Sequence, residues 1–263
     1  MRIASWNINS VRIRFGVIKK FVEKYNPDIL CLQETKTEDE YFPHKEMQSL
    51  GFVYRIVRGE KSYNGVAILS KIPIQLVDKL TFVNNQTRHI SVLIGDEIEL
   101  HNFYFPAGGD IADPEENPKF AHKLEYIENA SNWFKRYRSE KDKIILVGDL
   151  NIAPEKNDVW SHKQLVDVVC HTYMEVYHFK ELLKSIKFTD ALREFVPPED
   201  KLYTWWSYRN KDWKKSNKGR RLDHILTTAD LKDSLKTHHV YKNIRDADSP
   251  SDHVPILVDF NLS

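Results

Sequence analysis

The sequence has 263 residues, with 39 Lys plus Arg against 38 Asp plus Glu, a formal charge of +1, and 41% apolar and 12% aromatic residues. A near-zero total charge selects no partner, while the apolar content suits a buried core in one large α/β domain, so global disorder and coiled coil are excluded. No apolar run exceeds a handful of residues, Ile144-Ile145-Leu146-Val147 being typical, against the roughly 20 that cross a bilayer.

The opening Met1-Arg2-Ile3-Ala4-Ser5-Trp6-Asn7 lacks the apolar stretch and cleavage site of a signal peptide, so the expected compartment is the cytoplasm. The glycosylation patterns at Asn85-Gln86-Thr87 and Asn129-Ala130-Ser131 then carry no consequence. Strands are predicted over 2–8, 28–33, 52–57, 65–70, 89–94, 97–104, 143–147, 222–227 and 254–260, many too apolar to have a wet face. Between the first two, Phe15, Ile18, Phe21, Val22 and Tyr25 fall at helical spacing behind Ser10, read as the N-cap of a helix over 11–25. A second helix follows Pro118, with Leu124, Ile127 and Phe134 on its apolar face and a basic last turn; a third covers 177–186. The cysteines Cys31 and Cys170 read as buried thiols rather than a disulfide. Glycines and prolines are scattered singly and no repeat is visible, which predicts a single domain over 1–263. The fold class expected is α/β, two sheets packed together and flanked by helices.

Polar residues of chemically useful types gather at strand ends: Asn7, Glu34, Asp149, Asn151, and Asp252 with His253. Each alone is what a turn or cap would also supply. Together they offer carboxylates, amides and one imidazole where α/β proteins place their sites. Such hard oxygen donors suit Mg²⁺ or Mn²⁺ rather than Zn²⁺. The signatures of zincins, zinc fingers, P-loop enzymes and dinucleotide-binding folds are absent from the sequence. The segment 201–224 holds eight Lys or Arg against two Asp, a local excess of +6 in a chain whose total is +1. Tyr203, Trp205, Trp206, Tyr208 and Trp213 interleave with those cations, a mixture suited to phosphates and to the flat faces of bases, though a solvated basic loop over core tryptophans reads the same way.

The motifs Trp6-Asn7-Ile8-Asn9, Leu32-Gln33-Glu34-Thr35-Lys36, Asn64-Gly65-Val66-Ala67-Ile68-Leu69-Ser70, Tyr104-Phe105-Pro106, Gly148-Asp149-Leu150-Asn151, Tyr203-Thr204-Trp205-Trp206, Gly219-Arg220-Arg221-Leu222-Asp223-His224 and Ser251-Asp252-His253-Val254-Pro255 occur in series. In order and spacing the chain resembles the exonuclease III family of abasic-site endonucleases, within the endonuclease/exonuclease/phosphatase superfamily. The resemblance implies a four-layer DNase I-like sandwich and a Mg²⁺-dependent DNA-repair hydrolase with 3′–5′ exonuclease, 3′-end-cleaning and abasic-site endonuclease activity. It implies metal ligation by Glu34 with Asn7, and by Asp149, Asn151, Asp252 and His253 in some members. Catalysis falls to Tyr104, Asp149, Asn151, Asp223 and His253, and DNA binding to Trp205, Trp206, Arg209, Lys214, Lys215, Arg220, Arg221 and Leu222. The implied partner is double-stranded DNA with abasic sites or blocked 3′ ends, handled by a monomer away from any membrane.

Three positions depart from the family pattern. Ala107 stands where many members have an amide, Arg220 where an apolar wall lines the abasic-sugar pocket, and Trp160-Ser161-His162-Lys163 where an Asn- and Lys-rich loop contacts DNA. These departures favour 3′-end processing over abasic cleavage. Related branches act on other phosphate esters, and a DNA-binding module could keep the fold without catalysis.

Overall fold

In the computed structural model, which describes residues 1–84, 86–210 and 212–262, the apolar runs become strands buried on both faces. The pattern at Asn85 and the cation Lys211 lie outside the described residues. In chain order the strands are β1 (Arg2–Asn7), β2 (Ile29–Gln33), β3 (Tyr54–Arg58), β4 (Val66–Ser70), β5 (Ile74–Asp78), β6 (His89–Ile94), β7 (Ile98–Tyr104), β8 (Lys143–Asp149), β9 (Thr189–Asp190), β10 (Trp205–Trp206), β11 (Gly219–Arg220), β12 (Asp223–Thr227), β13 (Leu235–Val240) and β14 (Ile256–Phe260). They form two six-stranded sheets, ordered β13-β14-β1-β2-β4-β3 and β5-β6-β7-β8-β12-β9, plus the two-stranded ladder β10-β11. The pairs β1/β2 and β7/β8 are parallel and the rest antiparallel, so each sheet is mixed.

Period-two alternation explains why both faces are dry. In β1 and β2, Ile3, Ile29 and Cys31 point between the sheets against Val92, Leu100, Ile145 and Val147. Their neighbours Ala4, Trp6, Leu30 and Leu32 point outward onto the helix Phe15–Tyr25, through Ile18, Phe21 and Val22. The other sheet does the same: Phe103, Ile144, Leu146 and Leu226 face the helices Pro118–Tyr137 and Tyr173–Ser185 through Ile127, Phe134, Phe179 and Leu182. Helix, sheet, sheet and helix are the four layers expected.

The sequence reading of the first helix is corrected at its start. Ser10 does not cap it: its φ is 85° and its N–H donates to Glu34 O, so 9–11 is a loop laid against the end of β2, and the helix begins four residues after Val11 with no side-chain cap. The second helix begins at Pro118 behind Asn117, whose side chain accepts from Lys119 N–H. The third starts earlier than predicted, at Tyr173, where Thr172 and Glu175 form a capping box. Strands β5 and β13 escaped prediction because each lies at a sheet edge and is too polar or too exposed for an apolar run.

Candidate active site

The space between the sheets turns from apolar to polar along the strands, and the site is the polar end of that layer. Inward positions run Ile29, Cys31, Gln33 in β2; Leu100, Asn102, Tyr104 in β7; and Ile145, Val147, Asp149 in β8. Gln33 Nε2 donates to Ser5 Oγ at 3.0 Å and Asn102 Oδ1 at 2.7 Å, while Asn102 Nδ2 donates to the carbonyls of Leu32 and Ala67, each at 3.0 Å. This buried bridge ties the two sheets together immediately behind the site. Antiparallel pairing of β8 with β12 puts Asp223 opposite Asp149, so Asp223 joins the same end from the opposite chain direction.

Two backbone features hold the turns. Gly148 has φ 146° and its α-carbon faces Phe103 O so closely that an added methyl would sit 1.9 Å from that oxygen, so only glycine lets β8 approach β7 before Asp149. Glu34, the residue after β2, and Asn151, two residues after β8, adopt left-handed φ of 51° and 52°, which turns their side chains back over the sheet ends.

The side chains interlock. Asn7 Nδ2 donates to Glu34 Oε1 and to Asp149 Oδ2, both at 2.8 Å, and Tyr104 OH donates to Glu34 Oε1 at 2.9 Å. Asn151 Nδ2 donates to Phe105 O at 2.9 Å and Asp149 Oδ2 at 3.2 Å. His253 Nδ1 lies 2.9 Å from Asp223 Oδ2, which also accepts from Thr204 Oγ1 at 2.5 Å, and His253 Nε2 lies 3.6 Å from Asp149 Oδ2. Burial pushes the Asp149 carboxyl up to about 7, with Asp223 and Glu34 adding to the rise and His253 opposing it. Burial works against charge on His253, yet Asp223 and then Asp149 outweigh it and hold the imidazole up to about 10. His253 therefore lies between two acidic side chains that favour its charged form. Burial would raise Glu34 as well, but Lys36 and the Asn7 amide hold it below its ordinary value.

Among the described residues, Asp149, Asp223 and His253 bring ligand atoms within 4.8 Å of one another and could hold a metal ion. Asp223 Oδ2 accepts from Thr204 and faces His253 Nδ1, so the same three residues also form a carboxylate–imidazole–carboxylate relay. Asn7 turns its amide nitrogen to the carboxylates and bridges them as a donor, while its oxygen accepts Asn9 N–H at 3.1 Å. The oxygen donors suited to a hard divalent ion are Glu34, Asp149 and Asp252, all lining one cleft. Lys36 Nζ, 2.7 Å from Glu34 Oε2, shows that this carboxylate favours a cation beside it.

That cleft measures about 740 Å³ and carries Tyr104, Asn151, Trp160, Cys170, Trp205, Arg209, Lys218, Arg220 and Leu222 on its walls. Its walls sort the expected DNA-binding residues. Trp205, Arg209, Arg220 and Leu222 line it, and Lys214 and Lys215 are exposed nearby on the tip of the β10–β11 hairpin, Lys214 paired with Asp246 at 2.7 Å. Trp206 and Arg221 do not reach it. Trp206 is 0% exposed and packs on Tyr203 and Trp213; Arg221 is 0% exposed and clamps Asp158 and Asp190. Both support the wall from behind, because neighbouring residues of an extended segment face opposite sides. Asp252, expected as a metal ligand, accepts from Trp205 Nε1 at 2.9 Å and Asn9 Nδ2 at 3.2 Å, which fixes the indole across the cleft.

A model of the endonuclease/exonuclease/phosphatase family matches residues 4–253. The chain belongs to this family. Exodeoxyribonuclease III of Haemophilus influenzae is 28% identical over 271 residues, covering 99% of this chain and 100% of its own. An AP endonuclease from Archaeoglobus fulgidus has a TM-score of 0.92 at 31% identity, and a 3′ phosphatase from Neisseria bound to product DNA hairpin has 0.89 at 29%, each with 100% of both chains covered. The resemblance to the exonuclease III family drawn from the motifs is met.

Within this endonuclease/exonuclease/phosphatase chain, several site residues carried no assignment from sequence. Lys36 and Thr204 sit inside the quoted motifs and could have been found there; Trp160, with Lys218 4.6 Å over its ring, lies in the departing loop. Arg88 lies 4.7 Å over the Tyr104 ring and has no motif to mark it. Buried Lys123 donates to Asn151 O at 2.7 Å and to the Glu175 carboxylate. Its signal was a lysine on the apolar helix face between Phe120 and Ile127.

Proposed function

We propose that the chain is a metal-dependent DNA-repair phosphodiesterase of the exonuclease III type, with 3′–5′ exonuclease, 3′-end-cleaning and abasic-site endonuclease activity on double-stranded DNA. Mg²⁺ is the proposed metal and Mn²⁺ its substitute. The observation that carries this reading is one cleft in which the Asp223–His253–Asp149 relay faces a wall of Trp205, Arg209, Arg220 and Lys218. Proton-handling groups and a cationic, aromatic surface for a nucleic-acid strand meet there. One chain supplies every group, which agrees with action as a monomer.

The chain's residues divide the work of hydrolysing a phosphodiester. The His253 imidazolium, held by Asp223, and the Asn151 amide neutralise charge on nonbridging phosphate oxygens. Asp149 Oδ2, oriented by the Asn7 and Asn151 amides, takes the proton of the attacking water as its oxygen bonds to phosphorus and the P–O3′ bond breaks. Tyr104, whose phenol is raised well above its ordinary value by burial and then by Glu34, stays protonated beside the phosphate. A divalent ion held by Glu34, with Asp252 or Asp149, would supply Lewis-acid stabilisation of phosphate charge.

The test is a substrate panel, an internal abasic site, a 3′-phosphate, a 3′-phosphoglycolate and an undamaged recessed 3′ end, assayed with Mg²⁺ and with chelator. Cleavage abolished by chelator is expected. DNA binding without metal-dependent cleavage of any duplex would replace the enzyme by a binding module, and cleavage confined to non-nucleic phosphate esters would assign another branch of the family.

A further inference from the structure

Arg220 occupies an unusual place. The isolated bridge between His253 and Trp205 continues into the β10–β11 pairing of Trp205 with Arg220, so the three residues are successive rungs of one ladder. Two strand spacings, about 10 Å, separate the backbones of His253 and Arg220, and both residues line the same cleft. The guanidinium is fixed within the cleft wall. Its Nη1 donates to Val169 O at 3.2 Å and to Cys170 Sγ at 2.9 Å, and its carbon lies 5.4 Å from the centre of the Trp205 ring. The Trp205 indole is itself held by Asp252. No ion pair joins Arg220 to a carboxylate among the described residues, although Arg221, the next residue, is paired with two. A pre-oriented, half-buried guanidinium with donors left over, lining the same cleft as His253, offers an anion both charge and hydrogen bonds.

We infer that Arg220 forms a subsite for a small anionic group at a DNA 3′ terminus, and thereby sets a preference for anionic blocked 3′ ends over internal abasic sites. This rests on the nuclease reading above. A 3′-phosphate presents a dianionic phosphorus centre, one charge more than an internal diester. A 3′-phosphoglycolate presents a carboxylate one short linker beyond the scissile phosphorus. In both, water bonds to phosphorus, the P–O3′ bond breaks, the 3′ oxygen leaves as a hydroxyl, and the departing phosphate or phosphoglycolate keeps the charge that Arg220 holds. An internal abasic site offers the same subsite only a neutral sugar, which gains little from a cation.

The experiment compares kcat/KM for three duplexes, carrying a 3′-phosphate, a 3′-phosphoglycolate and an internal tetrahydrofuran abasic analogue, in the parent, Arg220→Gln and Arg220→Lys. Because each ratio is taken within one preparation, a partly unfolded variant does not alter it. Arg220→Gln should lose about 10- to 100-fold more activity on at least one anionic terminus than on the abasic duplex, the range for a charged hydrogen bond. Arg220→Lys should recover part of that difference. A loss confined to one terminus identifies which anion the subsite takes. An unchanged ratio, or equal loss on all three duplexes, overturns the inference and leaves the nuclease reading standing, whereas a parent that cleaves none of the three with Mg²⁺ overturns both.

Discussion

In the proposed reaction Asp223 acts through His253, since its Oδ2 is shared between Thr204 Oγ1 and His253 Nδ1. Residues that act as one unit lose their function together. Asp223→Ala and His253→Ala should therefore each lower the single-turnover rate by roughly 10³-fold or more, and the double variant should be scarcely slower than the worse single one. Multiplicative losses would show that they share neither a proton nor an orientation. Glu34 serves a different end: it is half-buried, in strained left-handed backbone, and its partners are the polar groups Asn7, Tyr104 and Lys36. Glu34→Ala should abolish metal-dependent cleavage while leaving a cooperative thermal transition, checked by activity and circular dichroism on the same sample. Loss of the transition would make Glu34 a structural residue. Asn7, Glu34 and His253 were legible as candidates because strand-end polar residues are local features, whereas Tyr104 and Asp223 were marked only by the resemblance of their motifs. Their bonding was not legible. Whether Asn7 offers oxygen or nitrogen depends on the Asn9 amide that claims the oxygen.

The elements around the cleft are joined by a buried ion pair. Lys123 on the helix Pro118–Tyr137 meets Glu175 on the helix Tyr173–Ser185, both 0% exposed, and holds the carbonyl of Asn151 in its left-handed turn. Glu175 also accepts from the N–H groups of Cys170 and Thr172, so the cleft wall that tethers Arg220 depends on the same pair. Removing one partner leaves the other charge buried. Lys123→Met should cost about 3–5 kcal/mol, and Lys123→Met with Glu175→Gln, which keeps hydrogen-bonding atoms but no charge, should regain much of it. Urea denaturation reads both, and a double variant no more stable than the single would assign the loss to packing. Nothing in local periodicity announces this contact, since its members are 52 residues apart. The helices themselves were legible from apolar spacing. The start of the first was not, because the loop 9–11 is tied to the end of β2, a contact invisible to helical spacing.

At the scale of the whole molecule, two predictions concern solution conditions. Leu80 N–H donates to His89 Nδ1 at 3.1 Å, so the proton of His89 sits on Nε2 and points to His101 Nδ1 at 2.9 Å. Burial holds both imidazoles below their ordinary values, His89 well below, with His101 and Arg58 adding to the depression of His89. A histidine depressed in the folded state binds its proton more readily when unfolded, so its stabilisation is present above the unfolded value near 6.5 and is lost as pH falls below it. The Tm should drop between pH 7.5 and 5, and His89→Asn, which keeps an acceptor for Leu80 N–H, should show a smaller drop; an equal drop would place the pH sensitivity elsewhere. The exposed cations of the β10–β11 hairpin should bind DNA through phosphates. Replacing Lys215 should then reduce the magnitude of the salt slope by about one, and replacing Lys214, already paired with Asp246, by less. An unchanged slope in both would return the hairpin to a solvated loop.

What the sequence determined by itself was whatever is local: the strands from apolar runs, the helices from their spacing, the residue types at strand ends, and a motif series that matches the family over 4–253. What only the tertiary structure decided was which side each residue faces. Trp205 and Arg220 line the cleft while Trp206 and Arg221, one residue on, are sealed in the interior. Alternation makes either parity equally consistent with the sequence of a short polar hairpin. The choice is made by distant partners, Asp252 drawing the Trp205 indole across the cleft and Asp158 with Asp190 drawing the Arg221 guanidinium inward, because a buried charge or donor settles where its counterpart is.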